Sequence, residues 1–108
     1  MLNYVFCDNA YLHQINVQFL EHDTFTDVIT FDYGIEKGTL NGEIYISTQM
    51  VEENAAKFQA TYADELLRVI FHGALHLCGY KDKTEADLKQ MRTREEECIA
   101  SFKKTLAA

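Results

Sequence analysis

Apolar residues recur at helical spacing in four stretches of the chain and crowd into two shorter extended ones. Leu12, Ile15 and Phe19 share one face of a helix over residues 9–20, which Asp8 can cap. Asp27-Val28-Ile29-Thr30-Phe31-Asp32-Tyr33, dense in β-branched and aromatic side chains, predicts a strand. Gly34 to Gly38 predict a loop, and Asn41-Gly42 is a turn signal close to the start of a second strand through Glu43-Ile44-Tyr45-Ile46. The two strands are expected to pair antiparallel. Ser47 or Thr48 opens a helix to about Gln59. Thr61, with Asp64 three residues on, resembles a capping box and starts a helix over about 62–78. Leu66, Leu67, Val69, Ile70, Phe71, Ala74, Leu75 and Leu77 lie almost all round that helix, which predicts the central buried element. Gly79 ends it at a C′ position. Thr84-Glu85-Ala86-Asp87 begins a last helix with an inner stripe of Leu88, Met91, Cys98, Ile99, Phe102 and Leu106. The predicted order is helix, two strands, then three helices: an α+β fold with a small sheet packed against helices.

Length and composition confine this pattern to one domain, residues 1–108. A chain of this size buries roughly 65% of its unfolded surface, enough for a core without staples. No apolar run approaches the roughly 20 residues that span a bilayer, and the opening residues lack the basic flank and apolar core of a signal peptide. A cytoplasmic protein with no membrane partner is expected. Cys7, Cys78 and Cys98 are odd in number, far apart and set among apolar residues, which predicts small buried hydrophobes rather than disulfides. The net charge of −7 argues against broad, nonspecific nucleic-acid binding and leaves room only for a confined site.

The chemistry is concentrated in His72-Gly73-Ala74-Leu75-His76-Leu77-Cys78-Gly79-Tyr80-Lys81-Asp82. Residues four apart lie on one helix face, so His72 and His76 can point at one ion. Gly79 lets the chain turn back and bring Asp82 to the same point. Three protein ligands leave a fourth position of one zinc ion open for water, as in catalytic rather than structural sites. Bound zinc can lower the pKa of such a water from about 16 to about 7. The plain alternative is a pair of buried histidines that only satisfy hydrogen bonds. An imidazole without a partner in this apolar helix would cost about 1–3 kcal/mol. The spacing also matches the metzincin protease pattern with Asp82 in the last place, but Gly73 stands where those enzymes carry the general-base glutamate.

At these residues the sequence resembles the YbeY family, metal-dependent endoribonucleases that mature ribosomal RNA. The family pattern H-G-x-L-H-L-x-G-Y-D-H is matched by His72, Gly73, Leu75, His76, Leu77, Gly79 and Tyr80. Asn16, Asp23, Thr26, Asp27, Val28, Ile29 and Phe31 resemble its upstream block, and Gly42-Glu43-Ile44-Tyr45-Ile46-Ser47 its G-D-I-x-I-S strand. The resemblance implies zinc-dependent cleavage of single-stranded RNA in ribosomal RNA maturation and ribosome quality control. It also implies partners in a ribosomal RNA precursor, the small ribosomal subunit and a ribosomal protein. A noncatalytic, metal-stabilised ribosome-assembly factor is the alternative, and a metalloprotease the weaker one.

Three departures alter those expectations. Lys81 and Asp82 replace the closing aspartate and histidine, so a carboxylate becomes the third ligand, acceptable for zinc. Leu20 stands where the family carries an arginine that implies a phosphate contact. Arg68, four residues before His72, is the candidate replacement; the alternative is a pairing with Glu65 or Asp64. The resemblance further implies a helix and strand ahead of the segment matching Tyr4-Val5-Phe6, so the chain reads as shortened at its N-terminus relative to the family. Glu65, seven residues before His72, is the other candidate catalytic group, able to orient a water or a ligand. Thr26 and Asp27 offer either a substrate contact or a turn anchor. His13 and His22 are expected at the surface, and Tyr80 near the metal, where it could stack on a base. Cys78 is a lesser candidate for the metal.

Overall fold

The computed structural model describes residues 1–20 and 26–107, with the side chains of Leu20 and Ala107 outside that description. His22 and Asp23, named above, also lie outside the described residues. The chain runs β1 (Leu2–Cys7), α1 (Asn9–Leu20), β2 (Val28–Glu36), β3 (Thr39–Ser47), α2 (Thr48–Lys57), α3 (Tyr62–Leu77) and α4 (Glu85–Ala107). Among the described residues this is a three-stranded sheet in the order β1-β3-β2 with helices on both faces, an α+β architecture. No helix of the described residues is long and apolar enough to cross a membrane.

Alternation along β3 sorts the two faces. Ile44 and Ile46 are fully buried and pack with Val51, Val69 and Leu77 beneath α3. Tyr45 turns to the opposite face, where Leu12 and Ile15 of α1 close over Ile29 and Phe31. Two glycines let α3 approach the sheet. A Cβ on Gly42 would lie 2.6 Å from the Phe31 carbonyl oxygen and 2.9 Å from Leu77 Cδ1, and one on Gly73 would lie 2.8 Å from Ile44 Cγ2. The glycine beside the first histidine is therefore a packing requirement of the helix–sheet contact.

Several expectations are corrected. A strand, β1, precedes the first helix. It pairs parallel with β3 from Leu2↔Gly42 to Cys7↔Ser47. Its partner lies about forty residues away in sequence, so no hairpin turn announces it. The predicted loop over Gly34 to Gly38 is mostly strand. β2 continues to Glu36 across an irregularity between Asp32 and Ile35, where Gly34 adopts φ +87° and donates its N–H to Asp32 Oδ1 at 2.8 Å. The reversal is Lys37-Gly38, both at positive φ and flanked by the Glu36↔Thr39 pair. That is the backbone of a two-residue I′ hairpin, whose twist suits the strands it joins. Asn41-Gly42, the apparent turn, sits inside β3. Helix α2 stops at Lys57, two residues short, with Gln59 in the left-handed region. The caps are as expected: Ser47 Oγ accepts from Met50 N, and Thr61 Oγ1 from Asp64 N.

The inner stripe of α4 needs a larger revision. Met91 is buried, but Leu88, Phe102 and Leu106 are exposed, although the Phe102 ring still meets Phe71 of α3 edge-on at 6.3 Å. The buried place one turn after Met91 belongs to Glu95.

Candidate metal centre

Helix α3 ends in a Schellman motif. Gly79, at φ +102°, donates its N–H to the His76 carbonyl, and Tyr80 N–H reaches the Leu75 carbonyl, each at 3.0 Å. The chain is thereby folded back over the last turn, and Asp82 arrives beside the two histidines. His76 Nε2 lies 3.0 Å from His72 Nε2 and 3.1 Å from Asp82 Oδ2, and His72 Nε2 lies 3.5 Å from that oxygen. Four-coordinate zinc with bonds of about 2.0–2.1 Å sets its ligand atoms about 3.3 Å apart, so this spacing fits one ion. Among the described residues His72, His76 and Asp82 are the set able to hold a metal.

The far sides of the imidazoles decide what faces inward. His76 Nδ1 is 3.0 Å from the Tyr80 carbonyl oxygen, which can only accept, so Nδ1 carries the hydrogen. His72 Nδ1 is 2.6 Å from Glu95 Oε2. A neutral ring donating from Nδ1 presents a lone pair at Nε2. Two such lone pairs and a carboxylate oxygen then converge within 3.5 Å, a set of three donors spaced to suit one cation. The residues fit a zinc ion on this ground. Exposure rises across the set, from 15% for the His72 side chain to 25% for His76 and 38% for Asp82, so the centre opens to solvent on the Asp82 side.

Behind the candidate ligands lies a buried ionic cluster. Glu65 and Glu95 are 3% and 2% exposed. Arg68 binds Glu65 with two parallel bonds, Nε to Oε1 at 2.9 Å and Nη2 to Oε2 at 2.6 Å. Its Nη2 is also 3.3 Å from Asp27 Oδ2, and its Nη1 3.5 Å from Glu95 Oε1. The bond to Glu65, above all, raises the guanidinium pKa, against the opposing effect of burial.

The structure thus brings His72, His76 and Asp82 together at one point and sets Glu65 and Arg68 one layer behind them. Arg68 takes the pairing with Glu65 that the sequence offered as the alternative, and both Glu65 oxygens are engaged by it. Asp27 acts as an anchor: its carboxylate also accepts from Asn54 Nδ2 at 3.5 Å, and Thr26 Oγ1 donates to the Val28 carbonyl at 3.4 Å. His13 is half-buried rather than on the surface. Tyr80 sits under Arg94, whose Cζ is 5.7 Å from the ring centroid. Cys78 is corrected to an exposed residue, since it occupies the C-cap of α3, while Cys7 and Cys98 are half-buried. Burial, with Asp8 adding to it, pushes the Cys7 thiol pKa up.

Glu95 is the residue that the apolar pattern missed. Position 95 falls one turn after Met91 and one before Ile99, so spacing alone would have put it on the buried face. A cleft of about 550 Å³ between α1 and the Phe31, Tyr33 and Tyr45 side of the sheet contains none of the three candidate ligands.

Comparison with known proteins places nearly the whole chain among relatives. A family model described as endoribonuclease YbeY matches residues 1–103. A Flavobacterium johnsoniae protein named endoribonuclease YbeY is 52% identical over 101 residues, covering 94% of this chain and 72% of the relative. A Porphyromonas gingivalis protein of the same name is 47% identical over 107 residues, covering 99% of this chain and 70% of the relative. The solution structure of a Thermotoga maritima protein superposes with a TM-score of 0.62 at 31% identity, over 96% of this chain and 71% of that one. With a family model spanning nearly its whole length and relatives this similar, the chain belongs to the endoribonuclease YbeY family.

Proposed function

We propose that this protein is a zinc-dependent endoribonuclease that cuts single-stranded or loop RNA during ribosomal RNA maturation and ribosome quality control in the cytoplasm. The observation that carries the reading is the convergence of His72 Nε2, His76 Nε2 and Asp82 Oδ2 within 3.5 Å, with both Nδ1 atoms tied to acceptors behind them. The family name of its relatives supplies the reaction class.

Zinc at this centre would supply a water made acidic near neutral pH and a positive charge opposite a phosphate oxygen. The protein's own residues set the conditions. His72 and His76 hold two neutral donors on one face of α3, so the geometry needs no rearrangement when a metal arrives. Asp82 adds a negative charge that a third histidine would not, which tempers the electrophilicity of the centre. It also sits on the open side, where an extended RNA strand could reach it. Arg68, shared among three carboxylates, serves in this reading as internal support, and Glu65 as its principal partner. The net charge of −7 requires that RNA be held by a confined contact or by a partner, such as the small ribosomal subunit or a ribosomal protein.

The decisive assay uses purified protein with one equivalent of zinc and a ribosomal RNA fragment carrying a single-stranded end. Metal-dependent cleavage by the wild type, abolished in His76→Ala and in Asp82→Ala, is expected. A wild type that holds zinc and associates with ribosomal particles, yet leaves the RNA intact, would sink the enzymatic reading. It would favour the noncatalytic assembly factor, for which the engagement of Arg68 by carboxylates speaks. A metzincin-like protease is disfavoured by packing: at position 73 a glutamate side chain would run into Ile44 and Thr30.

A further inference from the structure

Glu95 is a carboxylate on the buried stripe of α4, 2% exposed. A buried charge in such a place is retained only where its partners are well arranged. One oxygen, Oε2, is 2.6 Å from His72 Nδ1, and the other, Oε1, is 3.5 Å from Arg68 Nη1. Arg68 is already bound through Nε and Nη2 to Glu65 and through Nη2 to Asp27. One guanidinium therefore faces three carboxylates, and the one that also reaches His72 is Glu95.

We propose that Glu95 is a positioning residue that sets how tightly His72 holds the metal, with Arg68 as the anchor that keeps its carboxylate in place. The inference rests on the zinc reading above and goes beyond it, since Glu95 touches no substrate and no metal. Its carboxylate fixes the Nδ1–H form of the ring, aims Nε2 at the other two ligands, and makes that nitrogen a stronger donor. The link through Arg68 to Asp27 ties the last helix to the start of β2, so the histidine is held from both sides of the fold.

The test measures zinc affinity by competition with a chromophoric chelator, on wild type, Glu95→Gln and Glu65→Gln, each checked for folding by circular dichroism. Glu95→Gln keeps the shape and loses the charge, and should weaken zinc binding by about 10–100-fold. Glu65→Gln alters the same cluster without touching His72 and should weaken it much less. A folded Glu95→Gln that binds zinc as tightly as the wild type, or an equal loss in both variants, overturns the proposal. If Glu95→Gln does not fold, nitrogen NMR of the wild-type imidazoles in chelator decides. A His72 ring protonated at Nδ1 supports the assignment, and one protonated at Nε2 overturns it. A wild type that binds no zinc at all would instead defeat the metal reading itself, and this inference with it.

Discussion

Replacing Gly73 with alanine sets two effects of opposite sign against each other inside α3. In a helix interior alanine is favoured over glycine by about 1 kcal/mol. The added Cβ would lie 2.8 Å from Ile44 Cγ2 and 3.3 Å from both Ile44 Cδ1 and Thr30 Cγ2. Ile44 is fully buried among Ile46, Val51, Val69 and Leu77, so its methyl group cannot swing into open space. Inserting a methyl group into such a core costs about 1–3 kcal/mol, which equals or exceeds the gain in helix propensity. The expected net is a loss of about 1 kcal/mol, or a fall in Tm of about 4–8 °C for a domain of this size. Urea unfolding followed by circular dichroism, with chelator present so that metal binding does not enter, measures it. Trimming Ile44 to valine should absorb part of the cost, with a coupling of at least about 0.5 kcal/mol between the two sites. A Gly73→Ala protein more stable than the wild type would refute the reasoning. The glycine beside His72 would then need an explanation other than contact with the sheet.

Other perturbations address the charges and the third ligand. Arg68→Met leaves Glu65 and Glu95 buried without their cation and should cost about 3–5 kcal/mol in urea unfolding at neutral pH. Unchanged stability together with weaker RNA binding would mean that the arginine serves a phosphate instead. Asp82→His exchanges an oxygen ligand for a nitrogen one of the kind zinc accepts, and elemental analysis should still find about one zinc per chain. Loss of the metal in that variant would show that the loop admits only a carboxylate. Burial raises the phenol pKa of Tyr4, whose hydroxyl donates to the Ile70 carbonyl at 3.3 Å. A raised value favours the protonated form in the folded state, so this contribution is intact below about pH 10 and is lost as pH rises through the folded pKa. Tyr4→Phe should therefore flatten the fall of melting temperature between about pH 9 and 11. An unaltered slope would assign the alkaline loss to other groups.

How far the sequence could be read depended on how local each interaction is. Thr61, Gly79 and the apolar run between them act within a turn or two, and α3 lies within one residue of where they place it. The grouping of His72, His76 and Asp82 was legible for the same reason, as two of them share a helix face and the third follows the helix end. β1 was not legible, because Leu2 to Cys7 are strand by virtue of a parallel partner about forty residues away. Asn41-Gly42 misled because a strong turn dipeptide was outweighed by pairing on both sides, leaving Lys37-Gly38 to make the reversal. Glu95 was missed because burial was inferred from apolarity, and the stripe of α4 carries a charge at the place where it meets His72. The exposed Leu88 and Leu106 are the converse of that error.

The three candidate ligands lie within eleven consecutive residues, and the turn that gathers them is closed by backbone hydrogen bonds at Gly79 and Tyr80. A metal bound there would cross-link no distant parts of the chain and close almost no loop that folding has not already closed. Its contribution to stability should follow mass action alone, growing with the logarithm of free metal rather than deciding whether the domain folds. Asp82, outside any helix or strand, could then be exchanged for another ligand type with little disturbance to the packed elements, so that metal preference would be adjustable separately from the fold.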